Sequence, residues 1–471
     1  MNSAKPILAK PNSIFSAGES ISHAEVLQEI LDNVEPVDFA GLAQLKQEEK
    51  LTQKHLIVYS VAEILRIAKK LNCGLCRHYD VLYTYNGEFW QLTEKDAFER
   101  FLSECAIKLG VDHATAVYHK FSAELYKQFL TTAYLPKPRR AAEPVIINLR
   151  NGTFEIHRGK VNLRPFQRED FLTYQLPFEY SPKSTCPMWT AFLNDVLPDQ
   201  TKQAVLAEYI AYVFARHLKL EKTLILFGTG ANGKSVVFDV INALLGSDNV
   251  SNYSLESLGE PYYRAMIAGK LLNYASEISN RLQAEKFKQL TSGEPVEARL
   301  PYGQPMILTD YARLAFNCND LPRDVEHTEA FFRRFLILTF DITISPKKRN
   351  PNLAREIVEG ELSGVFNWVL SGLERLLKNR NFTWSDSIDA ALVQYRRESD
   401  SVAMFLDDEG YAPDQYFSQP LKTLYPEYRQ FCISNGYKPC GANTFSKRLE
   451  NNGITVVKER SYRVVYLART A

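Results

Sequence analysis

The stretch TLILFGTGANGKSVVFDVINALL, residues 223–245, constrains this chain more than any other. An apolar run, a glycine-punctuated loop of the form G-x-x-x-x-G-K-[ST] and an apolar-periodic segment follow one another without a break, which is the strand, loop, helix order that the pattern needs. Glycines at 228, 230 and 233 let the backbone curl so that successive N–H groups face phosphate oxygens, and a helix opening near Lys234 adds its positive dipole end. Gly228, Gly230, Asn232, Gly233, Lys234 and Ser235 are therefore the candidate nucleotide-binding residues. Lys234 is expected to reach the β and γ phosphates and Ser235 to offer a hydroxyl to Mg²⁺, so ATP and Mg²⁺ are the expected cofactors.

From Lys222 to about Phe340, short apolar runs alternate with helical stretches, the pattern of a parallel sheet covered by helices. KLLNYASEIS offers Glu277 as the acid at the end of a second strand, to orient water and help hold Mg²⁺. Here Ser276-Glu277 stands where two adjacent acids are usual, so one carboxylate serves both tasks. ARLAFNCNDLP ends in Asn317 and Asn319, amides suited to sensing the γ phosphate. In HTEAFFRRFLILTF, Arg333 and Arg334 directly precede an apolar strand; a guanidinium there either reaches a neighbouring copy's nucleotide or makes an internal ion pair. KFKQLTSGEPVEARLPYGQPMIL reads as a hairpin with a Pro-Tyr-Gly tip. Tyr302, Lys288 and Arg299 can grip single-stranded DNA by stacking and phosphate contact, and a tight surface turn is the alternative.

The rest of the 471 residues, 45% apolar and 24% charged, has material for several cores and rules out a disordered chain or a small disulfide scaffold. No run approaches the ~20 apolar residues of a membrane helix, and the start does not read as a secretory signal, so a cytosolic protein with free thiols is expected. Residues 1–55 read as a flexible leader or arm, exposed and mobile. Residues 56–182 read as a small α+β domain with a helix over Val61–Leu71 and hairpins at Asn86-Gly87 and Asn151-Gly152; its aromatics read as core packing. Cys73 and Cys76 have a spacing that can seed a zinc site, with Cys105 and His113 as the nearest partners. Residues 183–380 comprise a helical lead-in and the sheet. Residues 385–471 run helix, helix, strand, strand, the order of a winged helix. The whole chain carries a net charge of +1, so any nucleic-acid surface is local; Lys447 and Arg448 lie in a basic final segment suited either to phosphate contact or to a solvated helix face.

Taken in order, GTGANGKS, NYASEIS, KQLTSGEPVEARLPYG, AFNCNDLP and FFRRFLILTF resemble the superfamily 3 helicases, specifically the phage and plasmid primase-helicase group related to the poxvirus primase-helicase. INLRNGTFEIHRGKV, YQLPFEYSPKSTCPMWTAFL, EYRQFCISNGYKP and NTFSKRLENNGI extend the resemblance over about residues 80–471. It implies an α/β, AAA+-type P-loop motor with an N-terminal α+β domain and a C-terminal winged-helix domain. The implied assembly is a hexameric ring on single-stranded or forked DNA, translocating 3′ to 5′, in the cytoplasm of a bacterial host of a phage, plasmid or mobile element. By position the resemblance makes Lys234, Glu277, Asn319 and Arg334 catalytic, prefers Asn319 to Asn317 as the sensor, and ranks Arg333 second to Arg334 as the arginine that completes a neighbour's site. The primase domain common in the group has no counterpart here, so no primer synthesis is expected, and a separate primase or polymerase is the expected partner. An ATP-regulated DNA-binding scaffold and a P-loop small-molecule kinase are the rival readings.

Overall fold

The computed structural model describes residues 22–46, 49–78, 81–133, 144–157, 159–276, 278, 283–301, 303–322, 325–459 and 462–469. The chain divides into two compact units, residues 1–180 and 181–471.

In the first unit, α1 (His23–Asp32), α2 (Phe39–Leu42) and α3 (Gln53–Lys70) precede the antiparallel strands β1 (Gly74–His78), β2 (Val81–Tyr85) and β3 (Trp90–Leu92). Helices α4 (Lys95–Leu109), α5 (His113–Val117) and α6 (His119–Thr132) follow, then a second antiparallel sheet of β4 (Val145–Leu149), β5 (Gly152–His157) and β6 (Lys160–Arg164). Both expected hairpins are present. Asn86 builds the first by accepting from the Glu88 and Phe89 N–H groups, each at 3.0 Å. The described part of 1–55 departs from the expected exposed leader. Ser22 and Glu25 form a capping box that starts α1, and Val26, Ile30, Val34 and Phe39 are buried in one core with Ile64, Leu102 and Phe129.

The second unit opens with α7 (Pro187–Val196) and α8 (Gln200–Tyr212). Strand β7 (Thr223–Phe227) leads through the glycine loop into α9 (Lys234–Leu245), whose Val237, Val240, Ile241 and Leu244 make one buried stripe. Then come β8 (Val250–Ser251), α10 (Pro261–Ala265), β9 (Leu272–Ala275), α11 (Ala284–Ser292), the hairpin β10 (Val296–Arg299) and β11 (Pro305–Leu308), β12 (Arg313–Cys318), α12 (Glu329–Phe332) and β13 (Phe335–Thr339). Among the described residues, five of these strands form a parallel sheet in the order β13-β7-β12-β9-β8. The continuous apolar runs of β7 and β13 follow from burial on both faces. Strand β7 lies where the order reverses, so the loop after it opens into the crevice in which open α/β sheets bind ligands.

Helix α13 (Leu353–Asn379) packs along α8 and α9, and α14 (Asp386–Glu398) packs on β13. Tyr395 of α14 sets its ring against Phe332 and Phe335 at 5.5 and 5.6 Å, so residues 386–398 belong to the core of the sheet rather than to the expected C-terminal domain. That domain begins with α15 (Ser401–Asp408) and continues through β14 (Tyr411–Pro420), α16 (Leu421–Ser434), α17 (Ala442–Asn451), β15 (Thr455–Glu459) and β16 (Tyr462–Arg469). The expected helix, helix, strand, strand order is there, with β14 added at the edge of a sheet ordered β14-β16-β15 around Phe405, Tyr428, Phe445 and Val465. Among the described residues no helix is long and apolar enough to cross a membrane.

Candidate nucleotide site

The loop after β7 has little freedom to be anything but glycine-rich. A Cβ on Gly228 would meet Asn232 Nδ2 at 2.0 Å and the Phe340 carbonyl oxygen at 2.7 Å. Gly233 opens α9 at φ +89°, with Phe192 and Val196 of α7 against its back. The loop is tied to its surroundings by backbone bonds, Gly228 N–H to Cys318 O at 3.1 Å and Ile344 N–H to Ala231 O at 2.9 Å. The buried Asn232 amide donates to Phe340 O at 3.0 Å. This bracing by β12, by residues 340–344 and by α7 was not legible in the sequence, because all three lie far from the loop along the chain.

Lys234 is buried, and its ammonium donates to Gly228 O at 2.5 Å, Asn319 Oδ1 at 3.1 Å and Asn232 Oδ1 at 3.2 Å. Burial pulls its pKa below the ordinary lysine value. Its described partners are neutral oxygens, with no carboxylate among them, so a polyanion entering the loop meets a cation not already neutralised. The residues therefore fit a nucleotide phosphate chain, with Ser235 exposed on the first turn of α9 beside it. Asn319, the amide preferred from the resemblance, is the one brought to Lys234. Asn317 is instead buried one pleat back and accepts from the Tyr274 hydroxyl at 2.9 Å. Glu277 lies outside the described residues; the strand that precedes it, β9, runs parallel beside β12.

Arg333 and Arg334 stand at the other end of the sheet. The Thr223 N–H that starts β7 donates to Arg334 O at 2.7 Å. Five residues of strand, at about 3.3 Å each, separate that point from the glycine loop, so neither guanidinium shares the Lys234 crevice. The two arginines differ sharply. Arg334 is 8% exposed and donates to Ser292 Oγ at 2.8 Å and to Ala330 O, with Glu221 at 3.2 Å. Arg333 is 55% exposed and holds Glu221 Oε2 at 2.7 Å. Arg334, the first choice for the arginine that completes a neighbour's site, is thus enclosed by its own chain, and Arg333, the second choice, is the exposed one.

The hairpin is built as expected, with Arg299 opposite Pro305 and the Arg299 side chain exposed, its Nε donating to Gly303 O at 2.8 Å. Tyr302 lies outside the described residues. Lys288 is not a free cation: Glu326 pairs with it at 2.8 Å, and the Glu326 carboxyl is held below its ordinary pKa chiefly by that contact. Arg448 likewise pairs with Asp400 at 3.2 Å, both side chains largely buried, while Lys447 is exposed. Cys73 and Cys76 fall in two different cores, and burial pushes their thiols up to about 11 and about 12, so they are protonated packing groups at neutral pH. Among the described residues, no group of three or more His, Cys, Asp or Glu converges as a metal site.

Comparison with known proteins places these parts. Residues 226–334 match a family of unknown function (DUF5906), residues 65–198 a family described as D5 N terminal like, and residues 397–462 one described as Poxvirus D5 protein-like. The putative helicase 121R of Invertebrate iridescent virus 3 is 20% identical over 333 residues, covering 62% of this chain and 35% of that protein. The putative helicase L207/L206 of Acanthamoeba polyphaga mimivirus is 20% identical over 294 residues, covering 59% of this chain and 30% of that protein. The chain thus spans about a third of the length of these curated relatives. The apo structure of the NrS-1 C-terminal region shares the fold over 89% of this chain and all of that one, with a TM-score of 0.50 and 13% identity. The two D5 matches, one before and one after the strands of the α/β NTPase-like sheet in sequence, together with the weak helicase-named relatives, support a D5-like primase-helicase family member.

Proposed function

We propose that the chain is an ATP-driven DNA helicase of a replication system, working as a hexameric ring in which each nucleotide is bound by one copy and its cleavage completed by the next. The observation that carries this reading is Lys234: a buried ammonium with neutral partners, at the switch point of a parallel sheet, touching the amide at the end of the neighbouring strand. The N–H groups of residues 228–233 cradle the phosphates, Lys234 gives up one of its neutral oxygens for them, and Asn319 holds the ammonium in line. Mg²⁺, when bound with the nucleotide, supplies charge neutralisation at the phosphoryl oxygens. Ser235 and Glu277 would hold it, and Glu277 also orients the attacking water. Arg333 serves the adjoining copy, which the separation of about one strand length from its own loop supports. Arg299 and Tyr302 at the hairpin tip contact one DNA strand in the channel, with 3′ to 5′ movement by analogy with the group. The C-terminal unit acts as a winged-helix module. A separate primase or polymerase is the partner in replication, in the cytoplasm of a bacterial host of a mobile element.

The test compares ATP hydrolysis with and without single-stranded DNA, and forked-DNA unwinding, for the wild type, Lys234→Ala and Glu277→Gln. Hydrolysis stimulated by DNA in the wild type and lost in both variants is expected, with Glu277→Gln retaining nucleotide binding. Absence of turnover in magnesium at every protein concentration overturns the motor reading. Hydrolysis without strand separation leaves the scaffold reading instead.

A further inference from the structure

One loop in the C-terminal unit exposes two adjacent aromatic rings. Strand β14 pairs with β16 through Pro413 opposite Leu467 and resumes with Ser418 opposite Tyr466, so residues 414–417 are pushed out of the ladder. Tyr416 is 93% exposed and Phe417 60%. The extruded segment is not slack. Asp414 Oδ1 accepts the Tyr416 N–H at 2.7 Å and the Phe417 N–H at 2.6 Å, which fixes the backbone under both rings. Single exposed apolar side chains need no explanation, but a clamped pair of them does.

The surroundings select the partner. The bulge is flanked in sequence by the polar Asp414, Gln415, Ser418 and Gln419, so its two rings are not continued along the segment into a wider apolar patch. Between residues 411 and 469 nine basic residues face four acidic ones, a net of +5 in a chain whose total is +1. Asp414 is occupied by the two N–H groups, while Glu427 pairs with Arg469 at 3.6 Å and Asp400 with Arg448 at 3.2 Å, so those two arginines are neutralised with their acids. The cross-strand neighbours Lys458 and Arg463 are three rows from Tyr466, roughly 10 Å along the sheet at about 3.3 Å per residue, and by the alternation of side chains they leave the sheet on the face opposite to Tyr466, so a strand must pass round the sheet edge to meet both. Planar rings with cations a short way along the same sheet match a nucleic-acid strand whose bases are unstacked, in which rings take bases and cations take phosphates without reading sequence.

We infer that the 414–417 bulge is a stacking site for unpaired bases of single-stranded nucleic acid, separate from the hairpin and built on the C-terminal sheet. The site rests on the reading that the chain works on DNA, and it makes the C-terminal unit a holder of separated strand rather than a reader of duplex grooves. Arg448, already paired with Asp400, takes no part.

The test uses the full chain without nucleotide and a single-stranded oligonucleotide carrying 2-aminopurine. Tyr416→Ala/Phe417→Ala should weaken binding at least tenfold and relieve the quenching of 2-aminopurine seen with the wild type. Tyr416→Leu/Phe417→Leu should lose as much, because leucine keeps the apolar surface and removes the π-face, whereas Tyr416→Phe should bind as the wild type does. DNA-independent ATP hydrolysis should be unchanged in all three. A leucine variant that binds normally, or alanine variants that change only the mass of the assembly, overturns the stacking site. Failure of the wild type itself to bind the oligonucleotide refutes the DNA reading, and unchanged binding in every variant refutes the bulge alone.

Discussion

Removing Arg333 or Arg334 should produce opposite phenotypes, although the two are neighbours in sequence and identical in chemistry. Arg334→Ala deletes a buried guanidinium that holds Ser292, Ala330 O and Glu221. Breaking a buried pair by taking one partner costs about 3–5 kcal/mol. Arg334 Nε is itself buried without a hydrogen-bond partner, and relief of that desolvation returns on the order of 1 kcal/mol. A net loss of roughly 2–4 kcal/mol follows, which for a unit of this size is a melting-temperature drop of roughly 4–12 °C. Arg333→Ala removes one exposed contact to Glu221, worth at most about 1 kcal/mol, and should barely move the melting temperature. If Arg333 completes the neighbouring site, hydrolysis should fall by about 10³–10⁵ all the same. Differential scanning fluorimetry and a steady-state ATPase assay separate the two. Mixing Arg333→Ala with Lys234→Ala subunits should restore part of the activity, because each supplies the half-site that the other lacks. An Arg334→Ala protein with wild-type stability and no hydrolysis would falsify this assignment, as would an Arg333→Ala protein that hydrolyses normally.

Helix α13 supplies a matched pair for stability. A Cβ at Gly372 would lie 2.6–2.8 Å from backbone atoms of Ala207 and Glu208, so Gly372→Ala must push α13 off α8, at about 1–3 kcal/mol less the gain in helix propensity. Gly360, on the same helix, faces open space, and Gly360→Ala should raise the urea midpoint by an amount worth about 0.5–1 kcal/mol; equal shifts for the two would refute the packing argument. Asp199 caps α8, and its carboxyl is held down to about 2 chiefly by the Ser387 hydroxyl, then by Thr201. A depressed carboxylate stabilises the fold above its ordinary value near 3.8 and loses that contribution as pH falls toward 2. Asp199→Asn should therefore lower stability at neutral pH and flatten its dependence between about pH 4 and pH 2, read by denaturant titration at each pH.

Where an element's identity is written in adjacent residues, it was legible. The apolar run of β7, the glycine loop and the periodic stripe of α9 are local patterns, and so are the Asn-Gly pairs at 86–87 and 151–152, the second of which ends its turn with Gly152 already in β5 opposite Leu149. Helix α1 was missed although its Ser22-x-x-Glu25 signature stood in the sequence, because only Val26, Ile30 and a few neighbours mark its buried face. Strand β14 has no counterpart in the helix, helix, strand, strand reading; its Pro413 and Pro420 are tolerated because it lies at the edge of the sheet.

The amino-acid order alone determined that a glycine-rich loop of the form G-x-x-x-x-G-K-[ST] is present, which residue types line it, and that a parallel sheet carries it, since each depends on spacing over a few residues. Which charges remain available was decided only by the tertiary structure. Lys288 meets Glu326, Arg448 meets Asp400, and Arg334 is enclosed around Glu221 while Arg333 stays outside, across sequence separations that no local period encodes. A cation's work depends on what neutralises it, and its counter-ion is chosen by how helices and strands stack.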